Sequence, residues 1–74
     1  MNYTAVIEVV YHSGEKEDIF SCSSDDLDYV KKYSEYAQVE EIYPRIAQLE
    51  FKKAIRTITN NKTNEIVEIQ DIER

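Results

Sequence analysis

A cysteine and a histidine can act together in nucleophilic catalysis, and this chain has one of each, Cys22 and His12. The sequence around them predicts a hairpin with the two-residue loop Ser13-Gly14, because glycine readily takes the positive φ that a tight turn requires. In that register Ala5 opposes Cys22, which places the thiol about 23 Å from His12 at ~3.3 Å per residue. We therefore expect Cys22 to be a small buried residue and His12 a solvated turn residue, without a shared site.

The 15 acidic side chains could supply an acid/base pair, but such chemistry needs a carboxyl group desolvated in a pocket, and no sequence pattern indicates one. Asp25, Asp26 and Asp28 are sufficiently explained as residues that cap a helix and meet the positive end of its dipole. Calcium loops need a longer pattern of Asp, Asn, Gly and Glu, zinc needs about four ligands, and phosphate-binding loops need several glycines. We expect no catalytic residue, no metal and no cofactor.

The composition indicates a single small folded domain. The chain has 74 residues, 42% of them hydrophobic, with one glycine and one proline, and this length suffices for one core. Its formal net charge of −6 opposes direct binding to nucleic acid, which relies on Lys and Arg, and suits a basic protein partner. No stretch approaches the ~20 apolar residues of a membrane-spanning helix, and no basic segment followed by an apolar one begins the chain. The sequence therefore predicts a soluble, unexported, cytoplasmic protein.

Hydrophobic periodicity predicts the element order strand, strand, helix, strand, strand. The strands are expected at about residues 3–11, 16–22, 47–59 and 65–72, and the helix at about residues 25–40. The helix should end between Ala37 and Ile42, because Pro44 restricts Tyr43 to an extended conformation.

This order predicts an α+β fold, a ββαββ two-layer sandwich in which one helix packs on one face of a four-stranded sheet. The segment after Pro44 has an alternative, a second helix over residues 46–56, and Lys53 also allows a bulge or a helical turn there. Strand order is open. If the helix makes a right-handed crossover between parallel second and third strands, the first and last strands can pair at the centre.

Tyrosine is unusually frequent, with six among 74 residues. At about 100° per residue, one line along the helix carries Tyr29, Tyr33, Tyr36, Glu40 and Tyr43. A second line about 120° away carries the residues expected to pack on the sheet, which are Leu27, Val30, Ser34, Ala37 and Glu41. Tyr33 and Tyr29 could widen the core, with their hydroxyls at its edge. The alternative is a contact face, in which Tyr29, Tyr36, Glu40 and Tyr43 bind a partner.

The helix leaves the other side of the sheet uncovered, and that side is not very polar. Residues assigned to it are Val6, Val10, Ile19, Ile58, Ile66 and Ile72, interleaved with Glu8, Glu17, Glu68, Lys52 and Arg56. An exposed apolar patch of roughly several hundred Å² usually marks an interaction site. We therefore predict a homodimer formed through Val6, Val10, Ile19 and Ile66, with scattered surface aliphatics as the alternative.

These features favour a small acidic noncatalytic protein-interaction module that binds another protein through the tyrosine and glutamate helix face or the open sheet face. One alternative is an inhibitor of a nucleic-acid-binding protein by charge mimicry, of the kind that small acidic phage and mobile-element proteins perform. Another is a subunit of an oligomeric enzyme or ligand-binding protein whose site forms only on assembly. The expected partner is a protein, either basic or nucleic-acid-binding, and neither nucleic acid itself nor a membrane.

Overall fold

Four strands and one long helical segment form the fold, and the computed structural model describes residues 1–73. The elements are β1 (Tyr3–Val10), β2 (Lys16–Ser24), α1 (Leu27–Ala37), a π-helical segment (Gln38–Ile42), α2 (Tyr43–Ala47), β3 (Lys53–Asn60) and β4 (Glu65–Glu73). The helical segment packs on one face of the sheet. The predicted α+β class and ββαββ order are therefore confirmed.

The sheet has the order β2-β1-β3-β4, and all neighbouring strands are antiparallel. The helical segment connects the edge strand β2 to β3, which runs parallel to it on the far side of β1. The centre of the sheet is thus formed by β1 and β3. The arrangement with the first and last strands at the centre is not adopted, because β3 and not β4 pairs with β1, which leaves β4 at the outer edge.

The first hairpin has a three-residue loop and not the predicted two-residue loop. The Tyr11 N–H donates to the Glu15 carbonyl at 2.8 Å, and the Gly14 N–H donates to the Tyr11 carbonyl at 2.9 Å. Gly14 takes φ 93°, so the one glycine of the chain occupies the left-handed position of this loop.

A bulge at Ile19 absorbs the extra loop residue by shifting the register between β1 and β2. Beyond the bulge, Ala5 opposes Cys22 as predicted, because the longer loop and the bulge compensate each other. Nearer the loop, Val9 opposes Glu17 and not the predicted neighbour. The bulge also turns Ile19 toward the core, where it packs against the buried cluster.

The helical segment begins where the acidic run predicts. Asp26 is the N-cap, and its carboxylate accepts from the backbone N–H groups of Asp28 at 3.0 Å and Tyr29 at 3.4 Å. It satisfies two of the amide groups that an α-helix leaves unpaired at its start.

The predicted end of the helix near residue 40 is wrong, because the π-helical segment accommodates Pro44. The Tyr43 N–H donates to the Gln38 carbonyl, five residues back and not four. Pro44 has no N–H to donate to a helical carbonyl. The five-residue spacing changes which N–H group pairs with each carbonyl just before the proline. Pro44 then lies in the first turn of α2, where no N–H is required, and helical structure continues to Ala47.

The strand predicted at residues 47–59 is corrected at its start, since β3 begins only at Lys53. The helix ends with Leu49 in the left-handed conformation at φ 62°. The Glu50 N–H donates to the Arg45 carbonyl and the Leu49 N–H to the Ile46 carbonyl, both at 3.0 Å, which is the Schellman arrangement of a helix C-terminus. Glycine usually marks such an end, and here the sequence has leucine.

Two buried clusters fill the space between the helical segment and the sheet. The larger lies toward the helix C-terminus and contains Ile7, Val9, Ala37, Ile42, Ile46, Phe51, Ala54 and Ile72. The smaller lies toward the helix N-terminus and contains Ala5, Val30 and Ile58. Between them, on the same sheet face, lies the buried Arg56.

Candidate protein-binding surface

The π-helical segment changes which helix residues face the sheet. The buried residues along the helical segment are Val30, Ser34, Ala37, Gln38, Ile42 and Ile46. The step from Ala37 to Ile42 is five residues, as the π spacing requires, so Ile42 takes the buried place that regular spacing assigned to Glu41. Glu41 is exposed. The π spacing therefore buries the apolar Ile42 and leaves the charged Glu41 exposed to solvent.

Tyr29, Tyr33 and Tyr36 share one flank of the helix, since each directly precedes a buried residue. We call these three residues the tyrosine flank. Their exposed fractions are 50%, 48% and 63%, respectively. The flank lies on the β2 side, because the Tyr33 ring contacts Phe20 of β2 with centroids 5.6 Å apart. Tyr29 and Tyr33 stack with centroids 5.7 Å apart and planes 8° from parallel.

The rings of Tyr29 and Tyr33 neither enter the core nor extend freely into water. Phe20 packs against the larger buried cluster, and Tyr33 packs on Phe20, so these tyrosines form an outer layer over the sheet edge. Tyr33 thus extends the apolar layer and keeps about half its surface exposed, and partner binding at this face stays a prediction. Tyr36 is the most exposed tyrosine of the flank.

Tyr43 does not belong with these residues, which corrects the single line predicted for Tyr29, Tyr36, Glu40 and Tyr43. Tyr43 directly follows the buried Ile42, so it lies on the opposite flank, and its hydroxyl accepts from Gln38 Nε2 at 2.7 Å. The cause is the π-helical segment, which adds one residue to the helical turn between Ala37 and Ile42. The residues after it are therefore rotated about the helix axis relative to the tyrosine flank. Glu40 and Glu41, which lie in the π-helical segment after Tyr36, are both exposed.

Arg56 faces the helix and not the open side of the sheet where it was predicted. It is 2% exposed and lies opposite Ile7 in the sheet. Its Nε donates to Gln38 Oε1 at 2.9 Å, its Nη1 to Ser34 Oγ at 3.0 Å and its Nη2 to Gln70 Oε1 at 3.1 Å. The guanidinium group therefore joins α1, the π-helical segment and β4 through neutral acceptors.

Glu68 supplies the charge that compensates Arg56. Its Oε2 lies 2.8 Å from Arg56 Nη1, which is an ion-pair contact outside hydrogen-bond geometry. Lys31 Nζ lies 3.8 Å from Glu68 Oε1 at the solvent edge. Glu68 was also predicted on the open face, and it lies opposite Ile58 on the helix side. A buried arginine without this carboxylate would be strongly unfavourable.

Two sequence signals indicate this network in retrospect. Arg56 alternates with Ala54 and Ile58, so a strand that buries those two residues must direct Arg56 to the same side. Ser34 is a polar residue at a buried position of the helix, which requires a hydrogen-bonding partner opposite it. The first signal was missed because the strand was predicted to begin at residue 47, whereas β3 begins at Lys53.

The open sheet face has a different composition from the one predicted. Ile58 and Ile72 are buried under the helix, at 0% and 3% exposed, and Ile19 packs on the core side. Of the four residues predicted for self-association, Ile66 is 60% exposed, Val6 is half-buried and Val10 is 7% exposed. Ile69 and Ile55 join this face because they alternate with helix-side residues.

Cross-strand pairing arranges the open face in rows that run from β2 to β4. One row is Ser23, Thr4, Thr59 and Ile66, the next is Ser21, Val6, Thr57 and Ile69, and the third is Asp18, Glu8, Ile55 and Asp71. The third row brings three carboxylates onto one line of the sheet, and Glu8 directly opposes Asp18. Like charges in this position are destabilising and would oppose close packing of a second copy against itself across this row. The predicted homodimer stays a prediction.

Cys22 and His12 lie at opposite ends of the first hairpin. The Cys22 thiol is half-buried, and burial raises its pKa, which disfavours the reactive thiolate. His12 is exposed, and its Nε2 lies 3.0 Å from the Leu49 carbonyl oxygen, where it fastens the hairpin loop to the helix end. The structure does not bring the two side chains together.

Within residues 1–73 no pocket and no cluster of potential metal ligands is found. The same residues include no helix that is both long and apolar enough to cross a membrane. No protein-family model, curated protein or solved structure matches the chain.

Proposed function

We propose that this chain is a noncatalytic protein-interaction module whose tyrosine flank binds a basic segment of a partner protein. The observation that carries the proposal is the half-exposed, mutually stacked arrangement of Tyr29 and Tyr33 beside the more exposed Tyr36. A cytoplasmic location, which keeps the single Cys22 thiol reduced, belongs to the same proposal.

The stacked rings favour binding because they are ordered before a partner arrives. Tyrosine offers a large contact area with few rotatable bonds, and Tyr29, Tyr33 and Phe20 already restrain one another. Binding to these ordered rings therefore costs less side-chain entropy than binding to rings that become ordered only in the complex. Tyr36, at 63% exposed, has the most surface left for a partner to bury.

Charge favours a basic partner at this surface. Asp25, Asp26 and Asp28 lie at the helix end nearest Tyr29, and the exposed Glu40 and Glu41 follow Tyr36 along the helical segment. The whole chain carries a formal charge of −6. Carboxylates at the rim of an aromatic patch attract a basic segment and accelerate its association, with a dependence on salt.

Site-specific photo-crosslinking in an extract of the source cell tests the proposal. A photoreactive phenylalanine is placed at Tyr36, and the matched control places it at Tyr43, a 44% exposed tyrosine on the opposite flank of the same helical segment. We expect a discrete protein adduct from position 36, weakened by salt and absent from position 43. Equal labelling from both positions, or none from position 36, would contradict the proposal.

The identity of the adduct separates the remaining alternatives. A nuclease or polymerase captured equally from positions 36 and 43 would favour charge mimicry, whereas a second copy of this chain would favour self-association. An adduct confined to position 36 that contains another basic protein supports the tyrosine flank.

A further inference from the structure

The edge strand β4 has the features of a docking site for an extended chain. It is 9 residues long, or about 30 Å at ~3.3 Å per residue. One side pairs with β3 from Asn60 opposite Glu65 to Lys53 opposite Glu73. In the part of the chain that the structure describes, no strand pairs with its other side. Alternate backbone N–H and C=O groups of β4 are therefore available to an added strand.

The other edge of the sheet is less available. β2 carries the bulge at Ile19 and is overlaid by Tyr33, which packs on Phe20. β4 has a bulge of its own at Val67, and the residues from Glu68 to Glu73 beyond it pair without interruption. This regular part is long enough for a short added strand.

β4 exposes three aliphatic side chains in its first half. Ile66 is 60% exposed, Val67 43% and Ile69 59%. Ile66 and Ile69 lie on the open sheet face, in neighbouring rows. Alternate side chains of an added strand would point to this face and contact them.

The charge of β4 selects the occupant. Its acidic residues are Glu65, Glu68, Asp71 and Glu73, and it has no lysine or arginine. Glu68 is engaged by Arg56 and Lys31, whereas the other three form no ion pair within residues 1–73. A second copy of β4 would bring its own carboxylates into the same ladder, so the charge opposes self-pairing. An extended segment with alternating Lys or Arg compensates it.

We propose that β4 is a docking edge for a basic extended segment of another protein, which adds to the sheet as a fifth strand. Backbone hydrogen bonds hold the segment, and its basic side chains lie on the open sheet face, where their charges pair with Asp71 and Glu73 and their alkyl chains contact Ile66 and Ile69. This site is distinct from the tyrosine flank, on the opposite edge of the molecule.

A model peptide tests the proposal. The probe is a fluorescein-labelled ten-residue peptide of alternating Lys and Val, titrated with the full chain by fluorescence anisotropy at low salt. Its controls are the same peptide with alternate residues N-methylated, which removes backbone donors, and a peptide of alternating Glu and Val. We expect the N-methylated peptide to bind at least about tenfold more weakly, because strand addition needs those donors, and the acidic peptide not to bind.

Hydrogen exchange and two variants locate the complex. We expect the alternating Lys and Val peptide to slow exchange of β4 amides and Asp71→Lys to weaken binding about tenfold. Glu15→Lys, the same charge change at the exposed first hairpin loop, should leave binding unchanged. Circular dichroism of Asp71→Lys confirms that the variant is folded. Failure to bind at millimolar peptide, indifference to N-methylation, or protection confined to the helix would overturn the proposal without affecting the tyrosine flank.

Discussion

Arg56 Nε donates a 2.9 Å hydrogen bond to Gln38 Oε1, which joins a central strand to the first residue of the π-helical segment. The same Gln38 donates through Nε2 to the Tyr43 hydroxyl at 2.7 Å. One glutamine amide thus links the buried guanidinium group to the turn that follows the irregular part of the helix. The helical irregularity and the buried charge are parts of one arrangement.

Removing the guanidinium group should strongly destabilise the protein. Arg56→Ala leaves Glu68 partly buried without its nearer cationic partner and leaves Gln38 and Gln70 short of a donor, so we expect a loss of about 3 to 5 kcal/mol in the free energy of unfolding. Urea denaturation measures the loss, with the exposed Lys52→Ala as the control. A loss below about 1 kcal/mol would show that the network is not important for stability.

The π-helical segment should be coupled to Pro44. Deleting the exposed Val39 restores four-residue spacing between Ala37 and Ile42 and so keeps Ile42 buried in a regular α-helix. Pro44 would then lie inside that helix, where proline costs about 3 kcal/mol. We expect the deletion alone to destabilise the protein and Pro44→Ala to recover much of the loss when added to the deletion.

The same two changes and their combination form a thermodynamic cycle measured by urea denaturation. Strictly additive effects would contradict the coupling, since independent sites add. Pro44→Ala in the intact chain is the reference for the proline's own contribution.

Leu49 should be improved by glycine. Its φ of 62° is unfavourable for leucine by about 1 to 2 kcal/mol, whereas glycine takes this conformation freely and loses more entropy on folding. We expect Leu49→Gly to raise the free energy of unfolding by about 0.5 to 1 kcal/mol. Asn64, at φ 60°, is the matched control, because asparagine tolerates this region and Asn64→Gly should gain less. If a thermal melt shows that Leu49→Gly is destabilised, the Leu49 side chain stabilises the fold by more than its backbone strain costs.

Tyr11 should make stability fall at alkaline pH. The 2.7 Å hydrogen bond that its hydroxyl donates to Glu17, with burial and the Glu17 charge, raises the pKa of Tyr11 above its ordinary 10.0. A phenol whose pKa is raised by folding stabilises the fold fully below its unfolded pKa, and that contribution is lost as pH rises through the folded pKa. The thermal midpoint of the natural chain should therefore fall more steeply above about pH 10 than that of Tyr11→Phe. Parallel curves, with the exposed Tyr36→Phe as control, would exclude this role.

Regular alternation and capping made much of this fold predictable. The apolar face of β1 and the acidic cap at Asp26 follow from local chemistry that the sequence displays directly. Three irregular features of the fold do not follow from local chemistry. Leu49 takes a glycine conformation, Pro44 lies within a helical segment, and the first hairpin compensates a longer loop with a bulge. In each case tertiary packing outweighs the local conformational preference on which a prediction from sequence patterns depends.

The candidate site shows the same division. Tyr29 and Tyr36 were predicted together, because regular α-helical spacing holds over α1. Tyr43 and Glu41 were misplaced, because the π-helical segment changes the spacing after Ala37. Arg56 was misplaced because its burial depends on Gln38 and Glu68, which come from distant parts of the chain.

The claim that the tyrosine flank serves binding and not folding is tested most directly by comparing the stability of Tyr36→Ala and Val30→Ala. Val30 is 0% exposed between the helix and the sheet, so its truncation should leave a cavity that costs about 1 to 3 kcal/mol. Tyr36 is 63% exposed, and its truncation should change the free energy of unfolding by less than about 0.5 kcal/mol. If urea denaturation shows Tyr36→Ala to be as destabilised as Val30→Ala, the tyrosine is required for the fold and the flank is not a surface reserved for a partner.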